Sequence, residues 1–102
     1  MRDFRLHIRG RWWRVRFVAS REVGNAWGVA IDSPRPQILI YRRQGRRAMV
    51  NTLLHEVLHA VRPELAEEAV TETADVLERA LERLGYEIKE RPSGMRRARR
   101  DE

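Results

Sequence analysis

The sequence has 102 residues, which is enough for one compact domain with a modest core but not for a catalytic domain joined to a separate substrate domain. It contains no cysteine, which excludes disulfides, iron–sulfur clusters, cysteine-ligated zinc and thiol catalysis. The net charge of +6 is unevenly spread, because residues 1–47 carry 12 arginines against three acidic residues, whereas residues 48–90 carry four basic and 10 acidic ones.

The first predicted element is a β-hairpin over residues 3–19. Apolar and polar residues alternate in both of its halves, which gives one apolar face and one face made mostly of arginine. Gly10 and Arg11 are the predicted turn between the two strands. Trp12 and Trp13 follow this turn, and together with Trp27 they either pack in the core or at an interface, or stack on nucleic-acid bases.

Two more short strands are predicted downstream, over residues 27–31 and 37–41. The second contains the run Ile-Leu-Ile, which is typical of a strand that is buried on both faces. The turn between them holds Pro34 and Pro36, and two prolines cannot lie inside a central strand. Together with the hairpin, these strands predict a small antiparallel sheet.

Residues 48–61 predict a helix, because their apolar residues recur at three- and four-residue spacing. Pro63 ends that helix and suits the first turn of a second one. We expect the second helix to run to about Leu84, with Gly85 as its C-terminal cap. The predicted apolar stripe of the second helix consists of Leu65, Ala69, Thr73, Val76, Ala80 and Leu84.

These elements predict an α+β fold in which the small sheet packs on the two helices. We expect residues 1–90 to form a single domain. Residues 91–102 contain five arginines and are predicted to be a basic, solvated tail.

A metal-binding motif, H-E-x-x-H, lies in the middle of the first predicted helix as His55, Glu56 and His59. Residues four apart share one face of a helix, so both imidazoles can reach one zinc ion. Glu56 projects about 100° away from His55 and is placed to contact a zinc-activated water instead. The motif therefore predicts a zinc hydrolase in which Glu56 is the general base that takes a proton from the attacking water.

A third zinc ligand is needed, because catalytic zinc usually takes three protein ligands and one water. We predict Glu67, since the break at Pro63 lets the second helix fold back and Glu67 borders the predicted apolar stripe. Glu68 is rotated a further 100° around the helix and is the alternative ligand. The acidic candidates that follow the motif are Glu64, Glu67, Glu68, Glu72 and Asp75.

Three stretches of the sequence resemble small HExxH proteins that phages and prophages often encode. They are WGVAIDSPRPQILIY, TLLHEVLHAVRPELAEEAV and TADVLERALERLGY, and the resemblance covers residues 24–88. These proteins look like minimal gluzincins, so the resemblance implies a zincin-like fold and a zinc-dependent peptidase activity. It also implies a glutamate ligand on the helix after the motif, which matches Glu67 in the element L-x-E-x-x-V.

The group that would stabilise the oxyanion is not evident from the sequence. Larger gluzincins offer a second cationic or phenolic side chain for this role, and this chain has no further histidine beside the motif. Tyr41, Tyr86, His7 or an arginine could serve, and the sequence leaves these alternatives open.

The expected partner of a peptidase is a protein or peptide substrate. The alternative function is a basic nucleic-acid-binding or partner-inhibiting protein with a structural zinc site, in which the hairpin and residues 96–100 would supply the positive charge. No apolar run approaches the roughly 20 residues of a membrane span. We therefore expect no membrane partner and a cytoplasmic location, in the host cytoplasm if a phage encodes the chain.

Overall fold

The structure is a computed structural model, and it describes residues 2–85. Its elements are β1 (Phe4–Ile8), β2 (Arg11–Val18), a short 3-10 helix (Ser20–Val23), β3 (Gly28–Ile31), β4 (Gln37–Tyr41), α1 (Arg46–Val61) and α2 (Glu67–Arg83). The predicted α+β class is confirmed. The predicted basic tail and Tyr86 lie outside the described residues. Within residues 2–85, neither helix is both long and apolar enough to cross a membrane.

The sheet is mixed, and it differs in this from the antiparallel sheet that the sequence predicts. Its strand order is β1-β2-β4-β3, with β1–β2 and β3–β4 antiparallel and β2–β4 parallel. After β2, the 3-10 helix leads the chain past the position beside β2, and β3 forms one position further out. β4 then occupies the position between β2 and β3. Among the described strands, β3 is consequently an edge strand.

The hairpin turn lies one residue earlier than predicted, at Arg9 and Gly10. Both residues have positive φ, 52° and 80°, and Ile8 pairs with Arg11 across the turn. Two central residues in the left-handed region make a turn whose twist matches that of the flanking strands. Gly10 adopts its positive φ without a steric penalty, so only Arg9 contributes strain to the turn.

The main core lies between one face of the sheet and α1. On the opposite face, Val18, Val23 and Leu39 form a smaller buried cluster beneath the 3-10 helix. The main core consists of Ile8, Trp13, Val15, Ile38, Ile40, Met49 and Ala60. The sequence allows Trp13 either to pack in the core or to stack on nucleic-acid bases, and the structure places it in the core.

The second helix packs mainly on α1 and begins at Glu67, four residues later than the predicted start at Pro63. Its buried side is centred on Val70 and Ala74, each with no exposed surface. The predicted apolar stripe is therefore wrong, because α2 has apolar residues on two sides and only one of them meets α1. The exposed members of that stripe are Thr73, Val76, Ala80 and Leu84.

A polar cluster along the same interface fixes the position of α2 on α1. Asn51 donates hydrogen bonds to Asp75 (2.8 Å) and Glu78 (3.1 Å). One turn earlier, Arg47 forms ion pairs with Glu78 and Glu82, each at 3.0 Å. α2 is thus held by these polar contacts as well as by a narrow apolar strip.

Candidate metal centre

Two imidazoles converge on one side of α1. His55 and His59 are four residues apart on this helix, and their ring centroids are 4.8 Å apart with an angle of 66° between the planes. Both side chains are largely buried, with 18% and 29% of their surface exposed. The helix therefore brings the two rings together in the way that the i, i+4 spacing predicts.

The carboxylate of Glu67 meets both rings. Its Oε2 lies 2.9 Å from His55 Nε2, and its Oε1 lies 3.1 Å from His59 Nε2. The three residues offer ligand atoms that all lie within 4.8 Å of one another. This group could hold a metal ion.

The loop over residues 62–66 brings Glu67 back to α1. Arg62 leaves the helical conformation, with φ −133° and ψ 74°, and its carbonyl accepts a hydrogen bond from the Leu65 N–H at 3.0 Å. The Arg62 Nε also bonds to the Glu64 carboxylate at 2.5 Å. Glu67 is then the first residue of α2, where the positive end of the helix dipole favours a carboxylate.

Glu56 is buried beside this cluster and is not one of its ligand atoms. Only 8% of the residue is exposed, and its side chain lies against β3 beside Gly28. Burial raises the pKa of the Glu56 carboxyl and the nearby Glu67 raises it further, whereas His55 and His59 lower it. The side chain is thus aimed at the edge of the sheet, next to the two histidines.

Gly28 allows β3 to lie against α1 at this point. A Cβ on Gly28 would stand 2.7 Å from Thr52 Cγ2, 3.0 Å from the carbonyl oxygen of Leu39 and 3.2 Å from Glu56 Cγ. No side chain fits in that space. The sequence-based predictions missed this role, although a glycine inside a predicted strand is itself a sign of close backbone approach.

A second contact that the sequence-based predictions missed joins α1 to the ends of β3 and β4. The buried Thr52 donates a hydrogen bond to Gln44 Oε1 at 2.9 Å. The Gln44 amide in turn donates to the carbonyls of Tyr41 (2.7 Å) and Trp27 (3.2 Å). Gln44 lies in a charged loop, and nothing in the sequence pattern marks it.

The histidines, Glu56 and Glu67 line an open cleft of about 500 Å³. Its walls come from β3 on one side and from the end of α1 with Pro63 on the other, and Trp13 lies between them. Asp32 lies at the rim and forms a 2.6 Å ion pair with Arg11.

None of the described residues suggested for oxyanion stabilisation lines this cleft. Tyr41 packs on Trp27, with the ring centroids 5.9 Å apart, and His7 packs on Trp12 at 5.0 Å. Within residues 2–85, the cleft lining includes no tyrosine and no arginine. The alternative third ligand, Glu68, is exposed and is not part of the cluster.

Comparisons of the chain with protein-family models, with curated proteins and with solved structures find no match. The resemblance to phage-type gluzincins therefore stays a prediction.

Proposed function

We propose that the protein is a zinc-dependent metallopeptidase in which His55, His59 and Glu67 hold the metal and Glu56 is the general base. The observation that carries the proposal is the convergence of Glu67 on both histidines across a reversal of the chain. The motif alone offers two candidate ligands and a candidate base, and the chain reversal brings a third candidate ligand beside them, which is the number that catalytic zinc usually takes.

The donor set fits zinc. Two imidazole nitrogens and one carboxylate are a common ligand set of catalytic zinc, and they leave a fourth tetrahedral position for water. Donor atoms around zinc lie about 3.4 Å apart when the bonds are about 2.1 Å. One donor atom from each of the three residues lies within 4.8 Å of the other two, so small side-chain rotations would bring them to that spacing. A bound zinc ion supplies Lewis acidity, which lowers the pKa of water toward neutrality.

Glu56 has the position that a general base needs. Its backbone lies between those of the two histidines, and its side chain lies against β3 in the cleft that they share. From there it can accept a proton from the water that attacks the peptide carbonyl. Because the side chain is buried, few water molecules compete for its lone pairs.

The edge of β3 supports a peptide as the substrate. Tyr41 donates its N–H to the Trp27 carbonyl, so these residues form a hydrogen-bonded pair of the β3–β4 ladder. Such pairs alternate along antiparallel strands, which turns the N–H and C=O of Gly28 and the C=O of Ala30 away from β4, toward the open edge of the sheet. An extended peptide can bind by adding a strand to an edge of this kind.

The alternative remains a nucleic-acid-binding or partner-inhibiting protein with structural zinc. Structural zinc sites are usually closed by four protein ligands. Among residues 2–85, the cluster supplies three ligands and opens into a cleft. This arrangement favours the peptidase over the structural alternative.

The test is a zinc measurement combined with a cleavage assay on the full chain. The assay uses a heat-denatured, fluorescently labelled protein and a random peptide library that is analysed by mass spectrometry. The wild type is expected to bind about one zinc and to cleave peptides. Glu56→Gln is expected to keep the zinc and to lose about 100- to 10,000-fold in rate, because the amide cannot accept a proton.

Two results would contradict the proposal. If Glu56→Gln loses zinc together with activity, Glu56 acts as a ligand and the assigned mechanism is wrong. If the zinc-loaded wild type cleaves nothing in the library, the structural-zinc alternative replaces the peptidase. Glu68→Gln is the matched control, since it removes the same charge one residue from the proposed ligand and should leave both measurements unchanged.

A further inference from the structure

The outer face of the β1–β2 hairpin, which points away from α1, is the most basic part of the described sheet. The strand register places Arg5 opposite Arg14 and His7 opposite Trp12 on this face. Arg16 extends the same row along β2. We call this surface the hairpin face, and it consists of Asp3, Arg5, His7, Trp12, Arg14 and Arg16.

Trp12 provides a flat aromatic surface at the centre of the hairpin face. It is 57% exposed, although tryptophan is usually well buried. The His7 ring packs on it with a centroid separation of 5.0 Å, and the Arg5 guanidinium carbon lies 5.1 Å from the ring centroid. The ring is therefore held in place by basic neighbours while much of its surface remains open to solvent.

The arginines of the hairpin face outnumber the acids around them. Arg5 stands directly opposite Arg14, and like charges in such pairs destabilise a sheet. Asp3 is the acidic group on this face, 3.5 Å from Arg14 Nη2 and 3.9 Å from Arg16 Nε. Within residues 2–85, that Arg16 Nε is buried without a hydrogen-bond partner. A bound anion would relieve the repulsion that Asp3 offsets only in part.

The hairpin face and the metal cleft lie on opposite faces of the sheet. Trp12 points to the hairpin face, whereas its neighbour Trp13 points to the side of α1 and lines the cleft. A ligand on the hairpin face therefore need not block the cleft.

We propose that the hairpin face binds single-stranded nucleic acid. Trp12 stacks on a base, while Arg5 and Arg14 neutralise phosphates beside it. An exposed aromatic ring next to basic side chains is the common arrangement for single strands, whose bases present free faces. An acidic protein would match the charge of this surface and would leave the aromatic ring unused. This inference is independent of the proposed peptidase activity.

The proposal is tested with the full chain and a fluorescein-labelled 12-nucleotide oligo(dT), by fluorescence anisotropy over a series of salt concentrations. Trp12→Ala is expected to weaken binding by about 5- to 100-fold through the lost stacking. The double variant Arg5→Gln with Arg14→Gln is expected to make the slope of log affinity against log salt shallower by about 1.4, since each phosphate contact contributes about 0.7.

Matched controls distinguish binding at the hairpin face from the effects of net charge and of exposed aromatic rings elsewhere. Trp27 is 62% exposed and packs on Tyr41, so Trp27→Ala removes a comparable ring elsewhere. Arg42→Gln with Arg43→Gln removes the same charge from an exposed loop. Both controls are expected to bind the oligonucleotide with an affinity and a salt slope within about twofold of the wild type. Every variant keeps the C-terminal arginines, so their contribution cancels in each comparison.

Three outcomes would overturn the proposal. The first is a flat titration of the wild type at about 50 mM salt, where phosphate contacts are strong. The second is an equal loss of affinity in the hairpin double variant and in the loop double variant, which would reduce the effect to net charge. The third is competition by poly-glutamate as effective as that by oligo(dT) of the same charge, which would identify an acidic protein as the partner. Circular dichroism of each variant verifies that the fold is intact.

Discussion

The two helices contribute to the candidate metal centre from unlike positions in the fold. α1 lies between the sheet and α2, and it carries His55, Glu56 and His59 in a buried setting. α2 rests mainly on α1, and the Glu67 that it contributes has 66% of its side chain exposed. One half of the site is thus fixed by packing on two sides, while the other half depends on a short loop and a narrow strip of contacts.

The most severe way to break this arrangement is to remove a ligand from α1. His59→Ala and His55→Ala are each expected to lower zinc affinity by more than about 100-fold, which exceeds the usual effect of losing an outer partner of a ligand. The rigid helix cannot move another donor into the vacated position. Competition titration with a chromophoric chelator measures the affinity. Wild-type affinity in both variants would show that the metal is bound elsewhere.

A ligand lost from α2 should have a large but smaller effect. Glu67→Ala is expected to lower zinc affinity by about 10- to 100-fold, because an exposed position lets water replace the carboxylate while one negative charge is lost. Glu68→Ala removes the same charge from the neighbouring residue and is expected to change the affinity by less than about twofold. The same chelator titration compares them. An equal effect of both substitutions would mean that Glu67 acts only through its charge.

The contact between α1 and the sheet can be broken at Gly28. Gly28→Ala is expected to destabilise the metal-free protein by about 1–3 kcal/mol, because the added methyl group overlaps Thr52 and approaches Glu56. Gly45→Ala is the control, since a Cβ at that position meets no atom within 4 Å; it should change stability by about 0.5 kcal/mol or less. Urea unfolding measures both. Equal stabilities for the two variants would mean that β3 can move away from α1 without cost.

The smallest expected effect concerns the loop that leads to α2. The backbone N–H of Glu64 itself, followed by the Arg62 side chain, lowers the pKa of the Glu64 carboxyl. A lowered pKa in the folded state adds stability that is present at neutral pH and is lost as the pH falls through that pKa. Glu64→Gln is therefore expected to be slightly less stable than the wild type at pH 7 and equally stable at about pH 2.

Urea midpoints at the two pH values, measured in the presence of a chelator, test this expectation. The stability difference between the wild type and Glu64→Gln should shrink in part when Arg62 is replaced by Gln. The Arg62 guanidinium is the second cause of the lowered Glu64 pKa, and the first cause, the backbone N–H, remains. A difference that grows on acidification would have the opposite sign and would contradict the assignment.

The sequence predicted those features that depend on local spacing. The alternation in the hairpin and the three- and four-residue spacing in α1 indicate the elements correctly, and the motif places His55 and His59 on one face. The break at Pro63 predicts that the second helix folds back, and Glu67 is preferred to Glu68 because it borders the predicted apolar stripe. That stripe is wrong, yet the structure brings Glu67 to the histidines. That these residues bind zinc and hydrolyse peptides stays a prediction.

The features that the sequence could not predict depend on contacts between distant segments. Whether β4 pairs parallel to β2 is decided by where the 3-10 helix carries the chain, and no residue pattern records it. The stripe assigned to α2 was wrong because its apolar residues occupy two sides and only packing on α1 selects Val70 and Ala74. The close approach at Gly28 and the Gln44–Thr52 bond appear only when β3 and α1 meet.

The three candidate ligands, His55, His59 and Glu67, lie close together in the sequence, and this closeness affects how the site assembles. His55 and Glu67 are only 12 positions apart, so an ion that joins them closes a short loop at little cost in chain entropy. Glu56 and Ala30 are 26 positions apart, and they come together in the cleft only when α1 packs on the formed sheet. Metal binding by these residues would thus be a local event in α1, the following loop and α2, whereas the orientation of Glu56 depends on the whole topology. During refolding, the capacity to bind metal should return before the carboxylate reaches its place against β3.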